Sequence, residues 1–227
     1  MDVPHHVAVI MDGNARWAKD RSLNITQGYK NGAENALNLL RHSLALGIKC
    51  LTLFAFSTEN WGREKKDVEC ILSLFVQYIA GYVDIVKSWG VKINFFGEVD
   101  LLPDYVLSSI ERAHYDTKDN NDFKLCVAIS YGGRQEILNS VKAMLKSSIS
   151  AEEVDEKLFS NFLYTNGTND PDLIIRTGGQ KRLSNFLLWQ SAYSELYFAD
   201  KLWPDFNQKD LQDAIKDYKK RVRKYGK

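Results

Sequence analysis

Six short runs rich in β-branched, aromatic and other apolar residues, set between longer stretches with helical spacing, restrict this chain to an α/β architecture. The runs fall near 6–11, 50–56, 91–97, 124–131, 172–176 and 195–199. Helical patterns fit 29–46, 67–89, 103–116, 134–147, 151–163 and 207–224. This alternation predicts a central, mostly parallel sheet flanked by helices. All four prolines stand at segment edges, where a missing N–H and a fixed φ do least harm. No linker divides the sequence, and 227 residues lie within reach of one hydrophobic core, so 1–227 reads as a single domain.

Charge and cysteine usage narrow the function. Thirty Lys and Arg residues nearly balance 29 Asp and Glu. A nucleic-acid partner would call for a larger basic excess, so no nucleic acid is expected and any polyanion site must be local. Cys50, Cys70 and Cys126 are scattered, and the four histidines lack metal-ligand spacing. Reduced thiols in a cytoplasmic chain are therefore expected. With a strand-like run starting at His6, no signal segment is expected. The most apolar stretch, Ile71 to Val86, is interrupted by Gln77, Gly81 and Asp84 and is shorter than the roughly 20 residues of a bilayer span.

In an open α/β sheet, ligands gather beyond the carboxyl ends of the strands. The first strand is followed by Asp12-Gly13-Asn14-Ala15-Arg16-Trp17 and the second by Ser57-Thr58-Glu59-Asn60-Trp61-Gly62-Arg63. The fourth leads into Gly132-Gly133-Arg134, and the fifth into Arg176-Thr177-Gly178-Gly179-Gln180-Lys181-Arg182. Glycines admit close backbone approach, free N–H groups favour anions, and guanidinium forks match phosphate oxygens. Each motif alone could be a capped turn whose arginine pairs with a surface carboxylate. Four at one sheet edge point to a phosphate-rich ligand, a diphosphate above all. No nucleotide-binding glycine motif is present. With scattered carboxylates, such a pocket would hold one metal ion through few protein ligands and through the substrate's own diphosphate.

The helix from Val68 to Trp89 is apolar over more of its circumference than one buried face needs. It is either buried on most sides, or a dimer contact, or the wall of a cleft for a long hydrocarbon.

His6-Val7-Ala8-Val9-Ile10-Met11-Asp12-Gly13-Asn14 with Arg16-Trp17-Ala18 resembles the first signature of the cis-prenyltransferases. Phe56-Ser57-Thr58-Glu59-Asn60-Trp61, Tyr131-Gly132-Gly133-Arg134, Asp172 to Gly179, Arg182 to Gln190, Glu195-Leu196-Tyr197-Phe198 and Trp203-Pro204 resemble its later motifs, in the family's order. The resemblance implies a homodimeric α/β fold with a hydrophobic tunnel beside two diphosphate sites. The substrates would be farnesyl diphosphate and isopentenyl diphosphate, the cofactor magnesium (Mg2+), and the product undecaprenyl diphosphate, with a shorter or longer polyprenyl product as the alternative. Asp12 matches the essential aspartate that holds magnesium, with removal expected to leave stability almost unchanged. Gly13, Asn14, Ala15 and Arg16 would cradle the allylic diphosphate, and Trp17 would pack at the tunnel mouth. Ser57, Thr58 and Glu59 match a mobile segment that closes over substrate. Asn60 matches a residue that assists proton removal, here by orienting isopentenyl diphosphate while a phosphate oxygen takes the proton. Trp61 and Arg63 would contact substrate. Arg176, Arg182 and Ser184 match the isopentenyl diphosphate site, and Glu195 a second magnesium ligand. Tunnel depth would depend on packing around Ala55, Ile79 and Phe123.

The chain departs from the family's pattern at Ala15, at Ile25 and Tyr29, where an arginine and a histidine are usual, and at Gln180 and Lys181. Lys224-Tyr225-Gly226 replaces the usual Arg-x-Gly at the C-terminus. That basic tail would contact the partner's active site or a membrane surface during product release, or be solvated. Two rivals are a non-catalytic partner subunit of the same fold and a phosphate-binding module. The first would lose Asp12, Arg176, Arg182 and Glu195. The second would leave the wide apolar helix unexplained.

Overall fold

A computed structural model describes residues 3–221; the C-terminal Lys224-Tyr225-Gly226 motif lies outside them. In chain order its first half comprises β1 (His6–Ile10), α1 (Asn14–Asp20), α2 (Ile25–Ala45), β2 (Cys50–Ser57), α3 (Lys65–Ser88), β3 (Val91–Phe96) and α4 (Asp104–Thr117). The second half comprises β4 (Phe123–Tyr131), α5 (Gly133–Lys146), α6 (Glu156–Ser160), β5 (Leu173–Arg176), β6 (Glu195–Phe198) and α7 (Gln208–Lys220). The six strands form one sheet in the order β3-β4-β2-β1-β5-β6, and every pairing is parallel. This is the single α/β domain that the alternating pattern predicts. Every residue of β1 is buried, as expected for a strand covered on both faces.

The strand order reverses at β1, which has β2 on one side and β5 on the other. Such a switch point parts the loops at the carboxyl edge and opens a crevice there. Asp12 lies two residues beyond the end of β1, so its position in the crevice follows from topology.

Several helices differ from expectation: α1 falls where no helix was expected, α7 ends at Lys220, and two others change their bounds. α2 begins at Ile25 rather than near 29, because Asn24 and Gln27 form a capping box. Gly28 and Gly32 are where α1 crosses α2: a Cβ at Gly28 would lie 2.2 Å from the Asn14 carbonyl oxygen, and one at Gly32 2.1 Å from Asn14 Oδ1. The expected helix 151–163 is broken into a 3₁₀ turn at Ala151–Glu153 and the short α6. Val154 is extended, and Asp155 caps a fresh start by accepting from the Leu158 N–H at 2.6 Å. α3 runs for 24 residues, longer than the apolar stretch suggests, and on length and composition alone could cross a bilayer. Its apolar side chains instead pack on the sheet and line an internal cavity.

Candidate active site

The polar crevice at the switch point is organised around Asp12. One carboxylate oxygen accepts from Arg16 Nη2 and the other from Arg176 Nη2, both at 2.9 Å. Arg176, the last residue of β5, is only 5% exposed. A buried guanidinium needs compensation. Besides Asp12 it reaches the Arg182 carbonyl at 2.5 Å and Ser184 Oγ at 2.7 Å. Its buried Nε has no partner among the described residues. Arg16 also donates to the Gly178 carbonyl at 2.8 Å, and the exposed Arg182 to Gln180 Oε1 at 2.6 Å. Arg63 donates to the Tyr29 hydroxyl at 2.6 Å.

Asp12, Gly13, Asn14, Ala15, Arg16, Ser57, Asn60, Arg63, Arg176, Arg182 and Ser184 line this one pocket. Its chemistry is that of an anion site larger than a single phosphate, with four guanidinium groups from three segments, Arg176 and Arg182 sharing one. Asn60 Oδ1 accepts the Ser57 N–H at 3.0 Å, closing the 3₁₀ turn Thr58–Gly62. Glu59 lies in an adjoining cleft with Arg134 and Asn185. Burial opposes its ionisation, but hydrogen bonds, led by that from Asn185, hold its carboxyl below the ordinary value.

An apolar cavity of about 210 Å³ opens beside the polar pocket. Met11, Asn14, Tyr29, Ala55 and Ile71 border both spaces. From this neck the cavity passes between α2 and α3 over β2, β3 and β4, to Leu40, Val86, Ile93 and Leu125 near the amino ends of the strands. Leu53 and Ala55 line it from alternate positions of β2, as the two-residue period of a strand requires. The wide apolar surface of α3 is thus a cavity wall. Ile79 lines the cavity, but Phe123 does not; it is packed away at 2% exposure.

Several expected contacts fall elsewhere. Trp17 donates to Asp205 at 2.8 Å and lies under the Arg21 guanidinium, away from the cavity mouth. Trp61 donates to Ser130 Oγ at 3.0 Å and packs edge-on against Phe56, supporting the turn from below. The Thr58 hydroxyl turns to Glu59 at 3.3 Å. Glu195, matched by the resemblance to a second magnesium ligand, stands apart from Asp12 within this chain. It lies level with Leu173 and hence with Val7, so Asp12 is about 16 Å further along the strand direction at ~3.3 Å per residue. Glu195 instead pairs with Arg221 at 2.8 Å. Asn185 and Met11 were not anticipated as site residues, and only the alternation of β1 hints at Met11; Ile71 belongs to the apolar helix read as a possible cleft wall.

Among the described residues no group of three or more His, Cys, Asp and Glu converges. Among the described residues Asp12 is the one carboxylate in the polar pocket, 28% exposed at its side chain. Magnesium accepts one or two carboxylates when substrate phosphates and water complete its octahedron. The residues therefore fit a magnesium ion that arrives with a diphosphate, and do not form a metal cage of their own.

Comparison with known proteins agrees with this geometry. Residues 10–226 match the prenyltransferase model of the undecaprenyl diphosphate synthase family. An isoprenyl transferase from Thermotoga maritima is 48% identical across 100% of this chain and 98% of its own length. The crystal structure of lavandulyl diphosphate synthase from Lavandula x intermedia, in complex with dimethylallyl diphosphate, superposes with a TM-score of 0.95 at 34% identity over 99% of both chains. That of a probable undecaprenyl diphosphate synthase from Campylobacter jejuni gives 0.84 at 31% identity over 100% of both. With its arginine-lined pocket opening onto an apolar cavity, the chain belongs to the cis-prenyltransferase, or undecaprenyl diphosphate synthase, family.

Proposed function

We propose that this protein condenses isopentenyl diphosphate units in cis onto an allylic diphosphate, farnesyl diphosphate, and releases undecaprenyl diphosphate for cell-wall lipid carrier synthesis. The observation that carries this reading is the shared neck: a polar pocket for diphosphates and a cavity for hydrocarbon meet at Asn14, Tyr29 and Ala55.

Asp12 and the diphosphate oxygens would hold magnesium, which supplies positive charge for the departing diphosphate. Arg16 and Arg176 are held by Asp12 and backbone carbonyls before substrate arrives, so little reorganisation is needed as negative charge develops. The allylic C–O bond breaks, and the isopentenyl double bond supplies the electron pair of the new C–C bond. A proton then leaves the adjacent carbon to restore a double bond in cis. The Asn60 amide oxygen is already engaged by Ser57, and an amide is a weak base, so a diphosphate oxygen takes that proton.

Two copies are expected to associate. Leu138, Val141 and Leu145 stand exposed at one-turn intervals along α5, and a second copy would cover them. A cytoplasmic enzyme with only peripheral membrane contact at product release suits this arrangement. Incubation with farnesyl diphosphate, labelled isopentenyl diphosphate and magnesium, followed by chromatographic sizing, tests the proposal. Label in a 55-carbon product supports it, and no incorporation by folded protein overturns it.

A further inference from the structure

Asn185 does not line the diphosphate pocket, but it ties the first turn of α5 to two segments that do, the turn carrying Asn60 and the Arg182–Ser184 arm. Its carbonyl accepts the Gly133 N–H at 2.7 Å, and its Oδ1 accepts the Arg134 N–H at 2.9 Å, fixing it to the first turn of α5. Its Nδ2 donates to Glu59 Oε1 at 2.9 Å and to Gln135 Oε1 at 3.2 Å. The backbone has φ of 64°, a left-handed conformation that asparagine tolerates better than other non-glycine residues. A Cβ at Gly132 would lie 2.6 Å from Asn185 Nδ2 and 2.6 Å from Thr58 Oγ1, so the three segments meet without room for another side chain. On one side, Ser184 and Arg182 hold Arg176. On the other, Glu59 belongs to the turn that carries Asn60.

We propose that Asn185 is a positioning residue that locks the Thr58–Gly62 turn to the Arg182–Ser184 arm, so that the two walls of the isopentenyl diphosphate site are set as one unit. This rests on the condensation reading for its kinetic consequence, but the coupling itself does not.

Asn185→Gly keeps the left-handed backbone and the bond to Gly133 while deleting the amide. It should raise the KM for isopentenyl diphosphate at least tenfold, leave that for farnesyl diphosphate within about threefold, and speed amide hydrogen exchange across 58–62. Asn185→Asp sets two carboxylates against each other and should do the same. Adding Glu59→Gln to Asn185→Asp restores a donor–acceptor pair in the opposite sense, and should recover both KM and exchange protection. A merely structural asparagine would lower the melting temperature and move both KM values together, with no recovery in the double variant; that result overturns the proposal. The exchange measurement needs no substrate. If the parent protein fails to condense the two diphosphates but Asn185→Gly still frees 58–62, the function is wrong and the coupling stands.

Discussion

Both oxygens of Asp12 are taken by guanidinium groups, and one of these, on Arg176, is buried. Asp12 is therefore more than the exposed-edge carboxylate its sequence position suggests. Asp12→Ala is expected to lower turnover by several orders of magnitude. It should also destabilise the fold by about 2–4 kcal/mol, since removing one partner strands a buried charge, tempered here by partial solvent access. Turnover and a urea unfolding midpoint check both, and an unchanged midpoint would contradict the second. Tyr29 and Ile25, which together depart from the family's pattern, separate in the structure: Tyr29 borders both pocket and cavity and holds Arg63, whereas Ile25 borders neither. Ile25→Arg alone should leave affinity for a non-reactive farnesyl analogue unchanged by calorimetry. Tyr29→Phe should weaken it about tenfold, as a hydrogen bond to a charged group contributes roughly 1.5–3 kcal/mol. Asp12, Arg16 and Arg176 were legible in sequence because each belongs to a short contiguous motif. Tyr29–Arg63 was not, because the pair is 34 residues apart.

Among the elements, β1 is anchored at its start by His6, which is 3% exposed. Nδ1–H donates to the Asn169 carbonyl at 2.7 Å, so Nε2 must accept from the Thr52 hydroxyl, also at 2.7 Å, which joins β1 to β2. Burial pushes the imidazole from 6.5 down to about 4. The unfolded chain thus takes up a proton below pH 6.5 while the folded chain does not, and stability falls as pH drops from 6.5 towards 4. The full loss is about 3 kcal/mol at 1.36 kcal/mol per pH unit. Urea unfolding at pH 7.5 and 4.5 should show this loss, and His6→Gln should flatten it. A parent slope matching that of His6→Gln would refute the assignment. Strand ends were read to within about a residue because buried parallel strands are continuous apolar runs. Helix starts were harder, because the caps at Asn24 and Asp155 are polar residues in polar surroundings, recognisable only by what they bond.

For the whole molecule, the cavity between α2, α3 and the sheet sets how much hydrocarbon can be housed. Ile79→Trp, which fills its middle, should shorten the product with little change in melting temperature. Phe123→Ala should not lengthen it, because Phe123 lies outside the cavity; it should instead cost about 3–5 kcal/mol of stability. Product sizing and thermal unfolding separate the two. A longer product from Phe123→Ala would mean that the cavity extends past Leu125.

The alternation of apolar runs and helical periods by itself determined the α/β class, the parallel sheet and the arginine-bearing strand ends, because each is written within a few neighbouring residues. Only the tertiary structure decided that β1 is the switch strand, that Asp12 holds Arg176, and that Glu195 faces the opposite end of the sheet. Those relations depend on strand order and register, which arise from packing across segments more than 150 residues apart, as Asp12 and Arg176 are at a separation of 164.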